Sequence, residues 1–440
     1  MTAPGLLISA VRSGSGKTTV ALGLMRALAR RGLRVGAAKC GPDYIDPAFH
    51  AAATGRESFN LDSWTMDAGL LLRLAARAGA GADIVIAEGA MGLFDGAPGE
   101  PSRTGASADV AAATGWPVVL VHDVSGQGQS AAAIVRGVAT HDPRVKLAGV
   151  VLNLVGSERH RTLARDAIEA LGVPVFGTLP RDETIALPER HLGLVQAGET
   201  AQLERLLDAL ADRIEAQVDL GAIVASAAPH PNPPPQGGRE PAAIGGFPPP
   251  ARRIAIARDE AFSFFYPHLA ASWREAGAQL CFFSPLADEA PPDDADFCWL
   301  PGGYPELHAG RIARAMRFMT GLRRFAQTRP VHGECGGYMV LGRALVSADG
   351  ETHPMAGLLD LETSFSRRGL HLGYRRATLC ANNALGPAGT ILRGHEFHYA
   401  TITREHGQPF AKVRDAYSDM ERPAGLCSEG VSGSFFHVIA

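Results

Sequence analysis

The sequence predicts an α/β protein of two units, the first wound around a parallel sheet. Three observations carry this. Short, near-continuous apolar runs alternate with amphipathic stretches through the first half, the pattern of strands covered on both faces by helices. The same style recurs in the second half. Between the halves lies ASAAPHPNPPPQGGREPAAIGGFPPPARR, residues 225–253, in which nothing is periodic. A segment so rich in Pro and Gly cannot fill a core and reads as a semi-stiff, solvated linker. The expected boundaries are 1–222 for the first unit, 223–251 for the linker and 252–440 for the second unit.

In the first unit the expected strands are Leu6–Val11, Val35–Lys39, Ile84–Glu88, Val118–His122, Ala148–Asn153 and Val175–Leu179, with helices over Thr18–Arg31 and Arg159–Leu171. In the second they are Ile254–Arg258, Leu280–Ser284, Phe297–Pro301 and Val331–Gly333. Open α/β sheets bind ligands beyond the carboxyl ends of their strands, so the chemistry is sought just after these runs.

Composition narrows the function classes. The chain's 440 residues suit two or three domains at roughly 150 residues each. Its 42 Lys and Arg nearly balance 45 Asp and Glu, for a net charge of −3. That argues against bulk binding to nucleic acid or to an anionic membrane. No apolar run reaches the roughly 18–20 residues that span a bilayer. Leu6–Val11 is too short for a secretory leader and has no basic region before it. The six cysteines, at positions 40, 281, 298, 335, 380 and 427, form no C-x-x-C pair. A zinc knuckle or disulfide framework is not expected, and a reducing, cytoplasmic setting is.

Ser13-Gly14-Ser15-Gly16-Lys17-Thr18-Thr19 follows the first strand and opens a helix, as a phosphate-binding loop must. Its glycines let backbone N–H groups curl around phosphate oxygens, and the helix N-terminus adds partial positive charge. Lys17 is placed to reach the β/γ-phosphates of ATP, and the Thr18 hydroxyl to ligate Mg²⁺. The leading Gly of the usual pattern is replaced by Val11. After the second strand, Lys39-Cys40-Gly41-Pro42-Asp43-Tyr44-Ile45-Asp46-Pro47 brings two carboxylates, an aromatic ring and a lysine to one loop. Asp46 or Asp43 can hold Mg²⁺ through oxygen. Glu88 ends the Ile84–Glu88 strand, where a second metal ligand would sit, because a buried carboxylate demands a partner. Asp95, in the Gly-rich loop beyond, reads equally as a substrate contact and as an Asp-Gly turn former. Asn153 ends its strand and reads as an adenine contact or a strand-end cap.

In the second unit, Gly333-Glu334-Cys335-Gly336-Gly337 has the spacing of a strand–elbow–helix nucleophile turn with Cys335 at its apex. The helix N-terminus is expected to favour thiolate. The N–H of Gly336, with that of Gly303 in Pro301-Gly302-Gly303-Tyr304-Pro305-Glu306, would hold an oxyanion. A Cys nucleophile wants a base. Two loci offer one: Gly394-His395-Glu396-Phe397-His398-Tyr399, and Gly433-Ser434-Phe435-Phe436-His437. His437 is favoured, and Glu396 either orients it or is structural.

These motifs together resemble the glutamine-dependent cobyrinic acid a,c-diamide synthase family, most closely its aerobic-pathway branch acting on hydrogenobyrinic acid. The matching segments are Ser13–Thr19, KCGPDYIDP (39–47), EGAMGLFDG (88–96) and VVLNLVGSERH (150–160), then LPGGYPE (300–306), HGECGGY (332–338), GHEFHY (394–399) and Ser434–His437. The resemblance implies a dethiobiotin-synthetase-like, P-loop ATP-binding unit followed by a class I glutamine amidotransferase-like unit. It implies ATP and Mg²⁺, glutamine as nitrogen donor and a corrinoid substrate lined by Asp43, Tyr44, Asp46 and Asp95. A homodimer is compatible with it. The cobalt-containing cobyrinic acid remains an alternative substrate, and a P-loop switch ATPase an alternative class. Three-residue class I sites carry an acid two positions after the histidine; here that position is Ile439.

Overall fold

The computed structural model describes residues 3–181, 189–190, 193–194, 202–229, 243–367 and 369–440. The chain divides into two compact units, Met1–Ala242 and Ala243–Ala440. Among the described residues no helix is long and apolar enough to cross a membrane.

The first unit is built on a seven-stranded sheet: β1 (Gly5–Ser9), β2 (Val35–Cys40), β3 (Ser58–Leu61), β4 (Ile84–Glu88), β5 (Val118–Asp123), β6 (Leu147–Val155) and β7 (Val175–Pro180). Their spatial order is β3-β2-β4-β1-β5-β6-β7, every pair parallel. All six expected strands are present. The unforeseen β3 is a short edge strand, Ser-Phe-Asn-Leu, half of it polar. The chain winds to one side of β1 for β2–β4 and to the other for β5–β7. The loop after β1 therefore opens at the point where the winding reverses, the favoured ligand crevice of such sheets.

Helix α1 (Lys17–Arg30) follows that loop and turns Val20, Leu24 and Leu28 into the core. It lies directly on the helix Leu203–Gln217: a Cβ on Gly23 would meet Ile214 Cγ1 at 2.6 Å and Leu210 O at 2.8 Å. Arg26 pairs with Glu204 and Asp208 along the rim of this contact, and such exposed pairs add at most about 1 kcal/mol each.

The edges of the expected linker are folded. Leu220–Ser226 is helical, capped by Asp219, which accepts from Ala222 N. Ile244 and Phe247 are buried, and Phe247 O accepts from Trp273 Nε1 at 3.1 Å. Residues 230–242 of the stretch lie outside the described residues.

The second unit centres on a ten-stranded mixed sheet. Its parallel half runs, in spatial order, Gln279–Phe283, Arg253–Ala257, Phe297–Leu300, Val331–Glu334 and Val431–Ser434. It continues antiparallel through Glu421–Ser428, Gln408–Asp415, His371–Leu379, Ile391–His398 and Phe436–Val438. The four expected strands lie in the parallel half. The antiparallel half was not expected, because strands such as HLGYRRATL carry too few apolar residues to stand out as runs. Trp273, Trp299, His332 and Phe410 make edge-on and tilted ring contacts in series at centroid spacings of 5.3, 5.1 and 5.2 Å.

Burial suppresses protonation of four imidazoles in this unit: to about 4 in His268, to about 3 in His332 and His398, and well below the ordinary value in His395. Because the folded value lies below the ordinary 6.5, their contribution is complete above pH 6.5 and is lost as pH falls toward 3–4. Each imposes up to about 2 kcal/mol at pH 5. Urea unfolding should therefore show several kcal/mol less stability at pH 5 than at pH 7.5. A flat profile over that range would contradict neutral, buried imidazoles.

Candidate functional site

The loop between β1 and α1 is shaped by two glycines in the left-handed region, Gly14 (φ 75°) and Gly16 (φ 90°). At Gly16 a Cβ would strike Asn153 Nδ2 at 2.3 Å. The Asn153 amide instead reaches across from β6 and donates to Ser15 O at 2.9 Å. Asn153 thus buttresses the loop. Lys17 Nζ folds back on Arg12 O at 3.1 Å. Burial and the nearby Lys39 ammonium lower its proton affinity, against the opposing pull of Glu88, Asp46 and Asp95.

Behind the loop, four strand and helix ends converge on one charged cluster. Glu88, wholly buried at the tip of β4, accepts from Thr18 Oγ1 at 2.7 Å and from Lys39 Nζ at 2.9 Å. Its other oxygen meets His50 Nε2 at 2.7 Å. Lys39 also holds Asp46 Oδ2 at 2.5 Å. Burial opposes the charge on Glu88, but Lys39, His50 and Thr18 outweigh it and hold its carboxyl below the ordinary range. Burial and then Asp43 push Asp46 up to about 8. Asp46 and Glu88, two of the three expected metal ligands, therefore share a single ammonium, and the third, Thr18, donates to Glu88.

His50 was not singled out from the sequence. It lies in the helix Asp46–Thr54, where its Nδ1 faces Ser58 Oγ of β3 at 3.2 Å. No local pattern marks it, since its partners lie 8 and 38 residues away. Asp43 is drawn into local structure: its Oδ1 accepts from Ile45 N and Asp46 N at 2.7 and 2.9 Å, opening that helix. Asn60 Nδ2 ties down the same loop through Gly41 O and Asp43 O. Asp95 is exposed, and its Oδ2 accepts from Gly92 N at 2.8 Å. Tyr44 is half-buried on the loop between Asp43 and Asp46.

In the second unit the elbow forms as its spacing implies. Val331–Glu334 leads into Cys335, whose backbone sits at φ 46°, ψ −102°, and the helix Gly336–Leu341 follows. The glycines are required by packing: a Cβ on Gly337 would lie 1.9 Å from Leu300 O, and one on Gly333 2.7 Å from Gly337 C. Gly302 lies against both partners of the expected chemistry, since a Cβ there would meet His437 Cε1 at 2.5 Å and Cys335 Cβ at 3.2 Å. The Gly336 N–H faces the Cys335 sulfur. Gly303 N lies 3.2 Å from where a Gly336 Cβ would stand. The two expected oxyanion donors therefore share one patch beside the nucleophile.

Three features depart from expectation. The Cys335 thiol is pushed well above its ordinary range by burial, with Glu306 adding to it and the Gly336 N–H only partly offsetting it. A resting thiolate is not favoured, and the proton must leave as the sulfur attacks. Glu396 does not face His437. His395 is the residue opposite His437 across the strands, with rings stacked at 5.1 Å, and Glu396 is opposite Phe436. Alternation turns Glu396 to the other face, where Arg375 Nε donates to it at 2.8 Å. The carboxylate near His437 is that of Glu334, 3.7 Å from Nδ1.

Comparison with known proteins matches a family model to each unit. Residues 6–195 match the CobQ/CobB/MinD/ParA nucleotide binding domain, and residues 253–440 the CobB/CobQ-like glutamine amidotransferase domain. The hydrogenobyrinate a,c-diamide synthase of Mesorhizobium japonicum is 56% identical over 100% of this chain and 99% of its own length. That of Rhodobacter capsulatus is 58% identical over 99% and 98%, and that of Agrobacterium fabrum 54% over 100% and 99%. With two site-bearing units in the same order and identity of this level along its whole length, the chain belongs to the hydrogenobyrinate a,c-diamide synthase family.

Proposed function

We propose that the protein converts the a and c carboxylates of hydrogenobyrinic acid to amides, using ATP and glutamine. The observation that carries this reading is the pairing, in one chain, of a phosphate loop backed by the Thr18–Glu88–Lys39–Asp46 cluster with a Cys elbow beside a histidine. A switch ATPase would leave the elbow without a use.

A carboxylate is a poor acyl donor because oxide is a poor leaving group. Transfer of the γ-phosphoryl group to it gives an acyl phosphate that ammonia can attack. The first unit would run that step by positioning and charge neutralisation. Ser13, Gly14, Ser15, Gly16 and Thr19 cradle the phosphates, and Lys17 meets their negative charge. Asn153 keeps the loop in shape from behind. The Thr18 hydroxyl, Asp46 and Glu88 are hard oxygen donors, a set that fits Mg²⁺. When bound, that ion would offset phosphate charge and the acidity of the substrate side. Lys39 keeps the two carboxylates gathered. Asp43, Tyr44, Asp46 and Asp95 line the corrin side.

In the second unit, Cys335 attacks the glutamine amide carbon while His437 takes the thiol proton and returns it to departing ammonia. The Gly303 and Gly336 N–H groups hold the oxyanion; losing one such donor typically lowers kcat about 10²–10³-fold. Water then releases glutamate from the thioester.

The test is direct. Purified protein, supplied with ATP, Mg²⁺, glutamine and metal-free hydrogenobyrinic acid, should yield ADP, phosphate, glutamate and a macrocycle bearing two new amides by mass spectrometry. Glutamine consumption with an unchanged macrocycle would sink the reading. Amidation of only the cobalt-loaded macrocycle would move it to the cobyrinic acid substrate.

A further inference from the structure

Glutamine hydrolysis requires His437 to be held in one orientation and one tautomer. The position two residues on, where three-residue class I sites carry their acid, is Ile439, and Glu396 is engaged with Arg375 on the other face. Building on the glutaminase role proposed above, we infer that Glu334, the residue directly before the nucleophile, is the positioning residue for His437.

Glu334 is the last residue of the strand Val331–Glu334, in the middle of the ten-stranded sheet, and pairs in register with Ser434. It is 2% exposed. Its Oε1 accepts from Val438 N at 2.8 Å, and its Oε2 lies 3.7 Å from His437 Nδ1. One carboxylate thus grips two consecutive residues, the backbone of 438 and the ring of 437. No Lys or Arg pairs with Glu334 among the described residues. A buried carboxylate with so few partners is expensive as filler. Its cost is understandable if the negative charge is used.

The use follows from the elbow. Because burial keeps Cys335 protonated, its S–H proton passes to His437 Nε2 as the sulfur bonds to the amide carbon. An imidazolium forms, and its Nδ1–H points at Glu334. The carboxylate fixes that tautomer beforehand and stabilises the cation afterwards, and the proton then leaves with ammonia. A 3.7 Å approach without substrate is the loose form of a contact that tightens in the complex. The strand also explains the economy of the device. Cys335 and Glu334 are neighbours in sequence, and the sharp backbone turn at 335 (φ 46°, ψ −102°) separates the strand that carries the acid from the helix that follows the thiol.

Glu334→Gln in the full-length protein separates this role from scaffolding. The amide keeps an oxygen for Val438 N–H but loses the charge. Glutaminase kcat is expected to fall about 10²–10⁴-fold, with the KM for glutamine unchanged and amidation from added ammonia at the wild-type rate. Glu334→Asp should recover part of the kcat. Wild-type kcat in Glu334→Gln would overturn the inference, as would equal loss with glutamine and with ammonia, which marks a scaffold residue. Should Glu334→Gln melt early, Glu334→Asp decides: lowered kcat with a wild-type melting curve supports the placement, and unchanged kcat overturns it. If the wild type itself consumes no glutamine, the function proposed earlier fails instead.

Discussion

Cys335→Ala is expected to lower glutamine-dependent amidation by about 10⁴-fold or more, since losing a nucleophile alone removes most of what a whole catalytic set provides. Amidation from added ammonia should continue at close to the wild-type rate. The substitution removes one sulfur atom from a buried position and leaves the backbone turn, which alanine can follow no worse than cysteine. His437 keeps its packing against Gly302, its ring contact with His395 and its approach to Glu334. The measurement is product formation with each nitrogen source in the same preparation. Equal failure with both, in a protein whose circular dichroism is unchanged, would mean that the thiol does not serve as a separate ammonia source.

The largest effect on stability is expected from Lys39→Met. Lys39 is 4% exposed and bonded to Asp46 at 2.5 Å, to Glu88 at 2.9 Å and to Gly89 O at 3.3 Å. Burial works against its charge, but Asp46, Glu88 and Asp43 together raise its proton affinity well above the ordinary lysine value. Methionine is one atom shorter and carries none of its charge, so two buried carboxyl groups lose their shared counter-ion. Breaking such a pair from one side costs about 3–5 kcal/mol. The carboxyl groups would recover part of this by taking up protons, so the loss should grow from pH 6 to pH 8. ATP-dependent amidation should vanish with glutamine and with ammonia alike, the opposite of the Cys335→Ala pattern. An unshifted urea midpoint at pH 8 would show that the cluster is not charged as described.

The sheet of the first unit is legible in the sequence because parallel strands buried on both faces leave solid apolar runs, as in Ile84–Glu88. The phosphate loop is legible because its spacing is dictated by the ligand. The antiparallel strands of the second unit are not, since strands such as His371–Leu379 are partly exposed and interleave Arg, His and Gly with their apolar residues. The site follows the same division. Cys335 and His437 stand in Gly-punctuated turns that announce themselves. Glu334 and His50 do not, because each matters only through residues brought near by the fold: His437 lies 103 positions from Glu334 (437 − 334), and Glu88 lies 38 from His50. Adjacency to the nucleophile concealed Glu334, since a reader of spacing looks for the acid after the histidine.

The backbone at Cys335 has one more implication, for how this sequence can drift. Its torsions belong to glycine's territory, and a side chain there carries about 1–3 kcal/mol of conformational penalty. Left to thermostability alone, mutation would settle on the bare residue at this site and gain a sturdier fold with no thiol. A lineage supplied with free ammonia would lose little by that exchange, so the elbow should be among the first features to erode wherever glutamine ceases to be the nitrogen source.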